Sequence, residues 1–416
     1  MAENRKIPAI RFKGFDEAWE QRKYRDTFTS LPNNTLSRAE LNYNSGSAKN
    51  VHYGDVLIKF GELLNVREDE IPYITNGALA DKFKSSKLQN GDVIVADAAE
   101  DETVGKCTEL VNIDEEILVS GLHTIPCRPI ISFASGYLGY FMNSSSYHDQ
   151  LLRLMQGTKV SSISKSALQD TDITFPMDIV EQKQISVYFQ QLNNLITLHQ
   201  RKLLKIKNIK KAMLEKMFPQ NGQSNPEIRF NGFTDAWEQR KLFEVAEFNP
   251  KSELPDEFEY VDLESVAGTE MISHRTETKF SAPSRAQRLA KTGDVFYQTV
   301  RPYQKNNYLF VIADKNYVFS TGYAQMRPNI DTTFLMSFIQ TEAFVKVVLD
   351  NCTGTSYPAI NSTDLSKLDI LLPTSKDEQS RVGDLFTNLD NLITLHQRKL
   401  DKLNNIKKAC LEKMFI

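Results

Sequence analysis

The chain writes one amphipathic helix twice. Residues 193–219 read NNLITLHQRKLLKIKNIKKAMLEKMFP and residues 390–416 read DNLITLHQRKLDKLNNIKKACLEKMFI, with 21 of 27 positions identical at a constant offset of 197. A second repeat opens each half: PAIRFKGFDEAWEQRK at 8–23 against PEIRFNGFTDAWEQRK at 226–241, with 12 of 16 identical. Self-similarity at a fixed period settles architecture ahead of any local assignment. It predicts two globular units of like build, framed by two copies of one scaffold.

Between the repeats, residues 24–176 and 242–373 are turn-rich and strand-like, with runs such as DVLIKF, GDVIVAD and GDVFYQTV. Weaker matches tie the two intervals together. Gly91-Asp92-Val93 pairs with Gly293-Asp294-Val295, Gly157-Thr158 with Gly354-Thr355, and Leu168, Asp172, Ile173 and Pro176 with Leu365, Asp369, Ile370 and Pro373. Segments such as TTFLMSFIQTEAFVKVVLD add helices. The predicted class is α/β: two mixed α/β domains, residues 1–176 and 219–373, joined by two long helices, 177–218 and 374–416.

After each closing proline an apolar stripe alternates spacings of four and three. It runs through Ile185, Phe189, Leu192, Ile196, His199, Leu203 and Ile206 in the first copy. In the second it runs through Val382, Phe386, Leu389, Ile393, His396, Leu400, Leu403, Ile406, Cys410 and Met414. So narrow a stripe needs a partner helix, and the other copy is the obvious one. A helix from Asp178 to Met217 is about 60 Å long at about 1.5 Å per residue. Helix one starts where domain one ends, and domain two starts where helix one ends. If the helices pair along their length they therefore form an antiparallel coiled coil with an approximate two-fold axis.

The net charge of −3 and pI near 6.2 conceal a segregation. Residues 199–217 carry +6, residues 396–414 carry +4, and the remaining 378 residues sum to −13. Phosphate attraction is the sequence-independent part of DNA affinity, so a DNA-binding role predicts positive surface borrowed from a partner. No apolar run reaches spanning length, and the N-terminal segment MAENRKIPAIRF lacks the apolar core of a secretory signal. Cys107, Cys127, Cys352 and Cys410 are widely spaced without a CxxC pair, which argues against structural zinc and fits a reducing cytoplasm. The expectation is a cytoplasmic protein without a membrane partner.

Two reading domains related by a dyad and held at a fixed separation match the geometry of duplex DNA. Near-identical scaffolds with divergent domains predict two different half-sites separated by an unread gap. The paired NLITLHQRKL and NIKKA-LEKMF helices, the paired IRF-GF…AWEQRK openings and the domain–helix alternation resemble the specificity (S) subunit of type I restriction–modification systems, over essentially the whole chain. The resemblance implies that the two variable units are target-recognition domains. It implies that the helices set their spacing and dock methyltransferase (M) subunits, two of them, to which restriction (R) subunits add. It places adenine-N6 methylation from S-adenosylmethionine on M, and ATP-driven cleavage on R. This chain would then be a non-catalytic reader of double-stranded DNA, with no cofactor and no metal of its own.

The residues agree with that absence of chemistry. There is no [DN]PP[YF] tetrad, no glycine-rich methyl-donor loop and no GxxxxGK[ST] phosphate cradle. One nuclease-like pattern, Pro255-Asp256 followed by Glu277-Thr278-Lys279, has the residue types that hold Mg²⁺ and orient water. It is degenerate, occurs in one half only, and lies in a polar segment. The carboxylates Asp97, Glu100, Asp101 and Glu102 read as a solvated loop. The competing readings are a nuclease with its own metal site and a helical scaffold joining two proteins without touching DNA.

Candidate sites follow from the layout. The helix seam and partner-docking set is Phe189, Leu192, Ile196, His199, Leu203, Phe386, Leu389, Ile393, His396 and Leu400. His199 and His396 occupy matching seam positions, where a polar layer sets register; a metal or pH switch is the sharper alternative. Trp19 and Trp237 are expected to pack each domain onto a helix end. The basic positions Arg201, Lys202, Lys205, Lys207, Lys210, Lys211, Arg398, Lys399, Lys402, Lys407 and Lys408 face solvent, spacer phosphates or partners. For base reading, residues 299–307 offer Arg301, Tyr303, Gln304 and Lys305, arginine suiting guanine and glutamine suiting adenine. The matched loops offer Thr158, Lys159, Ser161 and Ser162 in one half and Thr355, Ser356 and Tyr357 in the other.

Overall fold

The computed structural model describes residues 7–157, 160–220, 222–313, 316–354 and 356–416. The chain folds as two compact units, Met1–Thr197 with Asp401–Ile416, and Leu198–Leu400. Two helices of 38 residues, α1 (Ile179–Lys216) and α2 (Lys376–Lys413), dominate the secondary structure. Each unit holds the start of one and the end of the other. Asp178 caps α1 through its carboxylate to the Val180 N–H at 2.7 Å, and Pro219 follows its end.

Among the described residues the first unit has two multi-stranded sheets besides two two-stranded ribbons. The larger orders Phe28–Ser30, Thr124–Pro129, Val93–Ala96, Cys107–Val111 and Leu63–Asn65, antiparallel except for the last pair. The smaller orders Leu118–Ser120, Lys49–Val51, Tyr73–Ile74 and Leu41–Asn42. The second unit repeats the plan with Ala246–Phe248, Tyr323–Pro328, Val295–Gln298 and Tyr308–Leu309 in one sheet. Its other sheet orders Arg275–Thr278, Glu257–Val261, Tyr317–Ser320 and Ala286–Leu289. Strand Val93–Ala96 is buried at every position, as is Val295–Gln298. That explains the apolar runs at 93–96 and 295–297, while buried Gln298 has its amide hydrogen-bonded to Val300 O and Gln304.

The Gly-Asp-Val match marks one turn built twice. Gly91 and Gly293 sit at φ +86° and +92°, a region that glycine enters without steric cost. Asp92 accepts from the Gln89 N–H and pairs with Arg128, and Asp294 accepts from the Lys291 N–H and pairs with Arg327. Each aspartate is buried, so the arginine fork supplies the compensation that a buried charge requires.

A two-stranded ribbon ties the opening repeat to the helix start in both units. Glu20–Lys23 pairs antiparallel with Asp172–Phe175, and Glu238–Lys241 pairs with Asp369–Leu372, in matching register. No single helix among the described residues is long and apolar enough to cross a membrane. Phe334, Leu335, Phe344 and Val348, from the apolar helices Thr332–Phe338 and Glu342–Asp350, are buried in the second unit's core.

Candidate nucleic-acid interface

The two framing repeats meet at one junction per unit, built from the same residue types. In the first unit, Arg11 grips Glu181 of α1 with two hydrogen bonds of 2.7 and 2.8 Å, and the Trp19 indole N–H donates to the same carboxylate. In the second unit, Arg229 grips Glu378 of α2 at 2.7 and 2.9 Å, and Trp237 donates at 3.2 Å. Both glutamates are buried, in the first turn of a helix whose dipole favours negative charge. The neighbouring glutamines repeat too. Gln182 accepts from the Ala134 N–H and donates to Pro176 O, while Gln379 accepts from the Asp331 N–H and donates to Pro373 O.

The helix ends complete the junctions. Phe415, at the end of α2, packs edge-on against Trp19, Tyr137 and Phe141 in the first unit. Phe218, at the end of α1, packs against Trp237, Phe334, Phe338 and Phe386 in the second. The Ile10 N–H donates to Lys413 O and the Ile228 N–H to Lys216 O, each satisfying a helix-end carbonyl. Trp19 and Trp237 thus pack domain against helix, as their matching contexts suggest. The Arg–Glu clamp was missed, although its signal is legible: Glu-Gln stands at 181–182 and again at 378–379, just ahead of the long repeat.

One close contact is built in opposite senses. A Cβ on Gly136 would lie 2.5 Å from Ser186 Oγ on α1, and a Cβ on Gly383 of α2 would lie 2.0 Å from Thr333 Oγ1. Positions 136 and 333 correspond at offset 197, as do 186 and 383. The glycine therefore sits on the domain side in one unit and on the helix side in the other.

The helices run antiparallel within each unit. In the first, Phe189 stacks on Phe415 at 5.8 Å, while Asn193 and Lys407 converge on Glu62. In the second, His199 meets His396 and Lys210 meets Asp390. Leu192, Ile196, Leu203, Phe386 and Leu400 are buried, Leu389 packs against the second core, and Ile393 is half-buried. The His199 and His396 Nδ1 atoms are 2.8 Å apart, a distance at which one ring donates and the other accepts. Burial, then His199, Lys202 and Lys399, hold the His396 pKa below its ordinary value. Of the basic helix positions, Lys210, Lys407 and Arg398 are engaged with Asp390, Glu62 and Glu270. Arg201, Lys202, Lys205, Lys207 and Lys211 are exposed.

The second unit brings its two candidate loops together. Val300 bridges Ala359, the Arg301 N–H donates to Pro358 O at 2.8 Å, and the Arg301 guanidinium lies over the Tyr357 ring at 4.6 Å. The one-turn helix Pro302–Gln304 is flanked by Arg301 and Lys305, both left-handed at φ +53° and +56°. Gln304 accepts from Gln298, and Lys305 is held by Gln340 O and Glu342. Tyr303, Ser356 and Tyr357 are exposed.

The first unit places different chemistry at the equivalent position. Ala98–Ala99 pairs with Ser161–Ser162, joining the segment 97–102 to the predicted serine loop. His123, left-handed at φ +54°, contacts Asp97 at 3.1 Å and sits edge-on to Tyr53, which neighbours His52. No periodicity or repeat singles out His123 or Tyr53, so sequence reasoning missed them. Thr158, Lys159 and Thr355 lie outside the described residues.

The nuclease-like pattern folds into a strand edge. The Lys279 N–H donates to Asp256 O, and Glu277 is held by Arg275 and Ser281. Among the described residues, no group of three His, Cys, Asp or Glu side chains is placed to hold a metal ion.

The fold defines a tandem protein: two like-built α/β units, each holding the start of one long helix and the end of the other. The sequence model of the family described as the type I restriction modification DNA specificity domain matches residues 17–208 and again 234–405. The chain belongs to that family, the specificity subunits of type I restriction–modification systems. It is 30% identical over 141 residues to the type I restriction enzyme HindI specificity subunit of Haemophilus influenzae, covering 32% of this chain and 30% of that one. It is 19% identical over 429 residues to a protein assigned as the MjaX specificity subunit of a type I restriction enzyme in Methanocaldococcus jannaschii, covering 95% and 92%. The crystal structure of a type I restriction–modification S subunit from M. genitalium shares the fold at a TM-score of 0.63 and 12% identity, covering 99% of each chain. The readings as a nuclease and as a DNA-free scaffold gain no support.

Proposed function

We propose that each unit reads one half of an asymmetric, bipartite DNA site, and that α1 and α2 set the unread gap and dock methyltransferase subunits. One observation carries the reading: two units of the same construction carry unlike loops at equivalent places, each after the matching buried strand. Residues 299–304 supply Arg301, Tyr303 and Gln304, whereas residues 97–102 supply four carboxylates. A protein recognising two copies of one ligand has no use for that divergence.

On this reading the recognition domains span 1–176 and 219–373, and the spacer helices span 177–218 and 374–416. The base-contact candidates are drawn from Arg301, Tyr303, Gln304, Lys305, Thr355, Ser356 and Tyr357 in one domain, and from Thr158, Lys159, Ser161 and Ser162 in the other. Two M subunits dock along the helices, and R subunits join the assembly. Exposed apolar residues support docking there: Val180, Val187 and Leu195 in the first unit, and Leu198, Leu204, Leu392 and Leu395 in the second. The exposed lysines of α1 and surfaces of M supply the positive field that the domains lack. The chain has no chemistry of its own; adenine-N6 methylation and cleavage belong to its partners, in the cytoplasm.

The test is a domain exchange. Residues 242–373 are replaced by the corresponding domain of a relative, and methylated adenines are mapped in cells carrying the chain with its M subunit. One half of the methylated motif changes and the other stays. Change in both halves contradicts modular reading, as does change in neither.

A further inference from the structure

We infer that the second unit's half-site contains a guanine read in the major groove by Arg301, with Tyr357 as the surface that holds its guanidinium in place. The inference rests on the proposed DNA-reading role and sharpens it to one residue and one base.

Four side chains of the loop are candidates, and the structure separates them. Lys305 is spent inside the unit, its ammonium shared between Gln340 O and Glu342. The Gln304 carboxamide oxygen already accepts from Gln298, and pairing with adenine needs both arms of the amide. Tyr303 is exposed, but a phenol lacks the two-pronged geometry that singles out one base. Arg301 remains. Among the described residues no carboxylate takes its guanidinium, which instead lies on the exposed Tyr357 ring. Arg301 is half-buried, and contact with the ring face does not use the N–H edge of the planar fork, the edge that matches O6 and N7 of guanine.

The backbone holds the arrangement in place. A non-glycine residue at φ +53° is strained. Three contacts hold Arg301 there: its own N–H to Pro358 O, the Val300–Ala359 bridge, and the Ile360 N–H to Thr299 O at 3.0 Å. So fixed a backbone suits a base contact, because both prongs of the fork must meet O6 and N7 together.

The experiment maps methylated adenines, and measures methylation rates on duplexes, for the full chain assembled with its M subunit. Wild-type chain, Arg301→Lys, Arg301→Gln and Tyr357→Leu are compared. The wild-type motif contains a guanine in the half that the 242–373 exchange alters. Arg301→Gln lowers methylation of guanine-bearing duplexes by about 10- to 100-fold relative to duplexes substituted at that position. The other half of the motif is unchanged. Tyr357→Leu weakens the same discrimination in the same direction. Absence of guanine from that half overturns the inference without any variant, so a variant that fails to fold leaves it testable. Uniform loss across all sequences with the motif intact overturns it too, because that marks a phosphate contact. If wild-type chain confers no motif at all, the DNA-reading role fails first, which is a different result.

Discussion

Gly383→Ser copies onto α2 the residue that α1 carries at position 186, and it should damage the second unit. The added Cβ would sit 2.0 Å from Thr333 Oγ1, 2.5 Å from Phe334 N and 2.6 Å from Thr333 C. Two of those atoms are backbone, so a rotamer change does not clear the clash. Overpacking of this kind costs about 1–3 kcal/mol, here toward the upper end. Replacing a mid-helix glycine returns about 0.5 kcal/mol. The net loss is about 2 kcal/mol, or about 4–8 °C in Tm for a unit of this size. Thr333→Gly recreates the Gly136–Ser186 arrangement of the first unit and should restore at least half of the loss. Calorimetry on the four combinations gives the coupling directly. A Gly383→Ser Tm within about 1 °C of wild type would refute the reasoning, as would double-variant losses that simply add.

The buried clamp offers a second cycle. Removing one partner, by Glu378→Met or Arg229→Met, should cost about 3 kcal/mol in denaturant melts, while the double variant loses less than the sum; additive losses would contradict it. Replacing both His199 and His396 by leucine should raise Tm, since each half-buried leucine adds about 1 kcal/mol at the seam, and a fall would count against a register role. The acid side carries its own sign. With the His396 pKa held below its ordinary value, the unfolded chain takes up its proton first. Stability from this site is therefore complete above the ordinary histidine value and is lost as pH falls through it, and the double-leucine variant should flatten that slope. Burial pushes the Cys127 thiol up to about 12 and raises Cys107 well above its usual value. In native chain at neutral pH, half-buried Cys352 should therefore alkylate before both; early loss of Cys107 or Cys127 would show the first core to be open.

Much of this architecture was legible because repetition is a global signal. An offset of 197 between two 27-residue segments carries the two-unit plan and both long helices without any contact being known. The pairing of His199 with His396 follows from that offset plus the antiparallel direction that connectivity requires. The loops were only half legible. Residues 299–307 and 354–357 stood out as polar and aromatic, but nothing local says that Arg301 lies on Tyr357, or that Glu342 occupies Lys305. Those contacts join residues 56 and 37 positions apart.

The sequence by itself determined the double build, the seam residues and the segregation of basic charge onto the helices, because each is a pattern of periodicity or identity along the chain. Tertiary structure alone decided which candidate loop side chains are held by neighbours within the unit, where Glu181 and Glu378 become buried clamps, and why glycine stands on the helix at 383 but on the domain at 136. Those outcomes depend on what lies within a few ångströms in space. Periodicity reports which face of a segment is buried and says nothing about its neighbour.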